Sequence, residues 1–141
     1  MEHASHSEED TAVIARTIAA KLAPGSCLCL QGDLGAGKSV FCRALIRSLA
    51  GEQDLEVPSP TFTLLQTYDT PCGIVYHFDL YRLDNPVDVF ELGWDEALAT
   101  GITLVEWPEK AGPYLPANAR RLTIKQTGPL DRLIQESDYL R

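Results

Sequence analysis

The chain has little that would tie it to a membrane, to an oxidising compartment or directly to nucleic acid. No apolar run approaches the roughly 20 residues that cross a bilayer, so no spanning helix is expected and the expected location is cytoplasmic. The opening stretch, MEHASHSEED, is acidic and has neither the basic start nor the apolar stretch of a secretory leader. Acids outnumber bases 20 to 12, for a formal net charge of −8. Phosphate backbones are gripped by Lys and Arg, so this balance argues against a protein that clamps nucleic acid by itself; contact through a basic partner stays open. The four cysteines, Cys27, Cys29, Cys42 and Cys72, contain no C-x-x-C pair. Cys27 and Cys29 lie two apart on an apparent strand and should share a face. All four are expected to be reduced, buried and packed as small apolar side chains. There is no internal repeat, no low-complexity tract and no interdomain linker.

What remains is the make-up of one ordinary globular domain. The chain has 141 residues, 45% hydrophobic and 23% charged, enough for a single core. A first helix is expected where Ser7 and Asp10 offer capping oxygens and Val13, Ile14, Ile18 and Leu22 recur at helical spacing, with Pro24 and Gly25 as its stop. The run Cys27-Leu28-Cys29-Leu30 reads as a short buried strand. A second helix should occupy about residues 38–49, carrying Phe41, Leu45, Ile46 and Leu49 inward and ending near Gly51. Pro58 and Pro60 bracket an extended linker into Thr61-Phe62-Thr63-Leu64-Leu65. Residues 68–83 suggest a hairpin turning at Asp69, Thr70, Pro71 and Gly73. Another helix is expected over residues 87–99, with Gly93 against it. A short strand follows at residues 102–106, another at 122–127, and a final one after Gly128-Pro129. Helices and strands alternate first and strands then cluster, which predicts an α/β sheet with an antiparallel part.

Gly32-Asp33-Leu34-Gly35-Ala36-Gly37-Lys38-Ser39 fits G-x-x-x-x-G-K-[ST], the phosphate-binding loop. Glycines let the backbone wrap a phosphate and turn several N–H groups inward as an anion nest. The following helix presents its positive end to the same anion. Lys38 is placed to reach the β- and γ-phosphates and the Ser39 hydroxyl to ligate Mg²⁺. A chain of this length matches the pattern by chance about once in two hundred, from average residue frequencies. The apolar strand before the loop and the amphipathic helix after it make chance rarer still. The expected nucleotide contacts are Asp33, Leu34, Gly35, Ala36, Gly37, Lys38, Ser39 and Val40, joined by Trp107.

Such a site also needs an acid at the end of a neighbouring strand. Ile102-Thr103-Leu104-Val105-Glu106 and Val75-Tyr76-His77-Phe78-Asp79 both end in one. Two acids can divide the work, one on the metal and one orienting the attacking water. Glu106 is the better metal acid, because its strand resembles a fully buried parallel one; either carboxylate could instead cap a turn. Thr61, after the stiff Pro58-Ser59-Pro60, reads as a switch-like threonine or as an ordinary strand residue. Trp107 should lie near the nucleotide or pack the core. His77 reads as a packing or hydrogen-bonding residue without a catalytic part. Arg43, Arg47 and Arg82 are solvated charges or partner contacts, and Glu8-Glu9-Asp10 is favourable charge at a helix start.

Taken in order, these motifs resemble the TsaE family, also called YjeE, bacterial ATPases needed to make threonylcarbamoyladenosine in tRNA. The matching stretches are GDLGAGKS at residues 32–39, SPTFTL at 59–64, HFDLYRL at 77–83 and EWPE at 106–109, with SEEDT at 7–11 like the family's start. The resemblance implies a P-loop NTPase-like mixed sheet flanked by helices. It also implies weak ATP hydrolysis that depends on the TsaB–TsaD pair, with tRNA met only through that complex. Carried onto this sequence, Lys38 contacts phosphate, Ser39 and Glu106 serve Mg²⁺, Thr61 belongs to a switch-like segment, and Asp79 positions or activates water. Ser39 stands where members often have Thr, which keeps the hydroxyl, and the stretch after Lys125 matches loosely. A small-molecule kinase is the alternative, but a kinase must enclose an acceptor under a lid, for which this chain has little spare length. A nucleotide-dependent binding switch without turnover is a third. The absence of the guanine-reading N-K-x-D motif favours ATP over GTP.

Overall fold

The computed structural model describes residues 1–33 and 35–138. In chain order these form β1 (Glu2–Ser5), α1 (Glu8–Ala19), β2 (Cys27–Gln31), α2 (Lys38–Ala50), β3 (Leu65–Thr70), β4 (Gly73–Asp79), α3 (Trp94–Thr100), β5 (Ile102–Glu106), β6 (Arg120–Gln126) and β7 (Arg132–Asp138). Among the described residues, no helix is long and apolar enough to cross a membrane.

Burial on both faces decides which strands are central. Along β2, Leu28 and Leu30 enter the core on one side of the sheet while Cys27 and Cys29 enter the core on the other. A strand with no polar face belongs inside a parallel sheet. β2 accordingly pairs in parallel with β5 on one side and β6 on the other, and β4 extends the parallel set beyond β5. Antiparallel strands complete both edges: β3 against β4, β7 against β6, and β1 outside β7. The order across the sheet is β1-β7-β6-β2-β5-β4-β3. The result is the mixed, helix-flanked α/β sheet expected from the sequence, hairpin included.

Helices α1 and α2 cover one face, where Ile14, Ile18, Phe41, Leu45 and Ile46 pack with Leu28, Leu30, Leu104 and Leu122. The other face is covered by α3 and a 3₁₀ segment, Pro86–Leu92; Trp94 meets Phe78 edge-on at 4.9 Å and its indole N–H donates to the Tyr114 carbonyl at 3.0 Å. At the start of α1 the Ser7 hydroxyl accepts the Asp10 N–H at 3.0 Å, and the Asp10 carboxylate accepts the His6 N–H at 2.9 Å. Asp10 thus helps cap the helix, and Glu8 and Glu9 add favourable charge in its first turn.

The structure departs from the expected elements at four points. The helix expected over residues 87–99 is broken at Gly93, whose φ of 81° closes the 3₁₀ segment and whose carbonyl accepts from Ala97 to begin α3. Cys72 is exposed, because it lies in the tight turn between β3 and β4, which no core reaches; the other three cysteines are buried and all four are free thiols. Residues 61–63 form a turn, and strand β3 starts only at Leu65. Finally, the acidic opening stretch contributes β1, whose alternation is too short to read alone.

The break at Gly93 sets an opposite sign to helix propensity. An added Cβ there meets nothing within 4 Å, so strain at positive φ is the only effect. Gly93→Ala should therefore destabilise by about 1–2 kcal/mol in urea unfolding, whereas a continuous helix would gain stability from the same change.

Candidate functional site

The parallel register carries three chain segments to one edge of the sheet. Leu30 of β2 lies opposite Glu106, the last residue of β5, and Asp79, the last residue of β4, lies opposite the same Glu106. The loop that leaves β2 at Gly32 therefore emerges beside two carboxylates. Both are withdrawn from solvent, at 4% exposure for Asp79 and 6% for Glu106.

The loop is shaped by its glycines. A Cβ on Gly32 would stand 2.6 Å from the Ile124 carbonyl oxygen, so only glycine lets the chain pass β6 this closely. Gly35 and Gly37 hold φ of 83° and 106°, and Gly37 is the residue from which α2 starts. The Ala36 N–H donates to the Asp33 carbonyl at 3.0 Å, closing the turn. Lys38 follows at once and is buried, with its Nζ 4.1 Å from the centroid of the Trp107 ring. Among the described residues no carboxylate pairs with it. A buried ammonium that no salt bridge holds is open to an incoming anion.

The acids are held by a polar chain. Thr61 Oγ1 donates to Asp79 Oδ2 at 3.0 Å, the Tyr81 N–H donates to Asp79 Oδ1 at 3.0 Å, and the Ser59 and Thr61 hydroxyls meet at 2.8 Å. Glu106 Oε2 accepts from His77 Nε2 at 2.8 Å, which gives His77 the hydrogen-bonding part expected of it. Trp107, directly after Glu106, adopts φ of 57°, a left-handed conformation costly for a bulky residue. That turn places its ring between Lys38 and the Tyr81 ring, 5.0 Å away. Strain of this kind, about 1–3 kcal/mol, concentrates at functional sites.

One cleft of about 410 Å³ gathers most of the expected residues: Gly35, Gly37, Lys38, Ser39, Val40, Thr61, Asp79, Glu106 and Trp107. Asp33 and Ala36 instead line the adjoining cleft, about 770 Å³, across the loop with Thr123, Lys125 and Gln126. Leu34 lies outside the described residues. The donors in the smaller cleft are hydroxyls and carboxylates, the hard oxygen set that suits Mg²⁺. A glycine loop turned at Gly35 and Gly37, a buried lysine outside any salt bridge and two acids side by side suit a polyanion carried with a hard cation.

The family model described as "Threonylcarbamoyl adenosine biosynthesis protein TsaE" matches residues 5–134. The chain belongs to the TsaE family. It is 46% identical over 120 residues to the tRNA threonylcarbamoyladenosine biosynthesis protein TsaE of Rickettsia bellii, covering 85% of this chain and 83% of that one. The match to the TsaE of Rickettsia conorii, at 47%, spans 61% of that protein, and the Bacillus subtilis TsaE is 37% identical over 89% of this chain and 78% of its own. Among solved structures, the crystal structure of Bacillus subtilis YdiB superposes with a TM-score of 0.78 at 30% identity, over all of this chain and 87% of the other.

This TsaE-family chain also brings to the cleft residues that were not among the expected site residues. Arg132 stands at the head of β7, yet its Nε donates 2.7 Å to the Ala36 carbonyl, 96 positions away, and its side chain lines the cleft. No sequence signal marks it, since the contact depends on β7 folding back against β6. Ser59 and Tyr81 also line the cleft; they sit within the SPTFTL and HFDLYRL stretches, and their distance of two from Thr61 and Asp79 was the available hint. Of the other arginines, Arg47 donates to the Leu55 carbonyl at 2.8 Å and Arg82 stacks 4.4 Å over Phe62. Arg132 braces the loop from behind. Arg132→Ala should speed amide hydrogen exchange in residues 35–39 about tenfold, whereas unchanged exchange would mean the loop holds its own shape.

Proposed function

We propose that this TsaE-family chain binds and hydrolyses ATP with Mg²⁺, and that it supports the TsaB–TsaD pair in threonylcarbamoyladenosine modification of tRNA. The observation that carries this reading is the buried, unpaired Lys38 at the mouth of the glycine loop, beside Asp79 and Glu106. The loop amides and Lys38 bind the polyphosphate of ATP or ADP, while the larger neighbouring cleft offers room for the nucleoside. Ser39 and Glu106 hold Mg²⁺, which when bound neutralises phosphate charge. Trp107 and Tyr81, in contact with each other, wall one side of the cleft.

Asp79 is already anchored at both oxygens, by Thr61 and by the Tyr81 N–H. A carboxylate fixed in this way is suited to orienting one water and accepting its proton. Thr61 links that acid to the Ser59 hydroxyl on the same loop, so a change in the loop reaches Asp79 directly. Family membership supports the tRNA-modification role and, through it, the TsaB–TsaD partnership.

Phosphate release from ATP, measured alone and with TsaB–TsaD, tests the whole reading: slow release that the pair accelerates is expected. Transfer of phosphate to an added metabolite without release would overturn it in favour of a kinase. Lys38→Ala should weaken ATP binding at least tenfold. Asp79→Asn should leave binding nearly unchanged and lower turnover about a hundredfold; equal loss of binding in the two variants contradicts their separate roles. Glu106→Gln should raise the Mg²⁺ concentration needed for half-maximal turnover, and an unmoved metal titration removes Glu106 from the ligand set.

A further inference from the structure

Behind the nucleotide cleft, three side chains of different chemistry converge from three elements. Cys42 lies about one turn beyond Ser39 on α2, His77 is on β4 and Glu106 ends β5. One potential ligand atom from each lies within 4.8 Å of the other two, and all three residues are buried, with His77 at 2% exposure. His77 Nε2 meets Glu106, but its Nδ1 is buried and has no hydrogen-bond partner among the described residues. A small cavity of about 120 Å³ opens on the same three side chains, next to Ser39, Ser59 and Arg43. An unsatisfied ring nitrogen beside a thiol, a carboxylate and a void is not explained by packing.

We propose that Cys42, His77 and Glu106 form a site for a thiophilic divalent cation of the Zn²⁺ class. One sulfur, one imidazole nitrogen and one carboxylate oxygen are the three protein ligands of an open tetrahedral site, and the cavity leaves the fourth position to water. Mg²⁺ has no preference for sulfur or imidazole, so this donor set selects the softer ion. Without a cation, burial first and the neighbouring Glu106 charge second push the Cys42 thiol well above its usual range and keep it protonated. The incoming ion replaces that proton, which leaves to solvent, and no electron changes hands. Where the Mg²⁺ role proposed above for Glu106 holds, the two cations compete for one carboxylate; the soft-metal site itself does not depend on that role.

Co²⁺ added to the full nucleotide-free chain tests this through absorption, independently of any ATP chemistry. One equivalent should give a thiolate-to-cobalt charge-transfer band with the intense visible bands of tetrahedral coordination. Cys42→Ala, shown to be folded by circular dichroism, should lose the charge-transfer band, and His77→Gln should bind Co²⁺ at least tenfold more weakly. Absence of the band in the unaltered protein overturns the proposal even where a variant fails to fold. So does its persistence in Cys42→Ala, which would put the metal on Cys27, Cys29 or Cys72.

Discussion

The parallel register of β2, β5 and β4 is the constraint on which the site depends. It sets Leu30 and Asp79 opposite the same Glu106, so the turn out of β2 can only emerge next to both acids. A shift of one residue in either pairing would send the acid to the other face of the sheet. The register is in turn secured by burial on both faces: Ile102, Leu104 and Val105 of β5 and Val75 and Phe78 of β4 are all fully enclosed. The chemistry at the edge is thus positioned by apolar packing several residues away.

Charge is left unsatisfied there in a directed way. Asp79, Glu106 and Lys38 are each at most 6% exposed, yet the lysine lies on an indole ring rather than on a carboxylate. Pairing the lysine with either acid would satisfy the interior and remove the pull on an incoming anion. Instead the acids are held in place by the Thr61 hydroxyl, a backbone amide and His77. Strain at Trp107 belongs to the same arrangement, since its left-handed turn is what brings the ring to the lysine. Departures from local preference that gather in one cleft are what a functional site looks like against a well-packed background.

Much of this was legible in the residues alone, for identifiable reasons. The loop could be read because its spacing follows from the size of a phosphate, and β2 and β5 because runs apolar on both sides have few other places to go. Glu106 and Asp79 were found as strand-final acids, although nothing in the sequence says that they are register partners. Gly93 stood against a continuous helix in the sequence, but the apolar periodicity runs through it, and the left-handed conformation that breaks the helix there shows only in the structure. Arg132 escaped for a different reason: its contact with Ala36 spans most of the chain and uses one ordinary arginine. The Cys42–His77–Glu106 cluster is of the same kind, since its members come from a helix and two strands. Local patterns reveal local chemistry, and sites assembled across the sheet need the topology.

If the carboxyl ends of β2, β5 and β4 are built for a polyphosphate carried with a hard cation, calorimetric titration of the purified chain with a non-hydrolysable ATP analogue, with and without Mg²⁺, will register it. Saturable binding at one analogue per chain is expected, tighter when Mg²⁺ is present. No saturable heat at millimolar analogue with Mg²⁺ would contradict it.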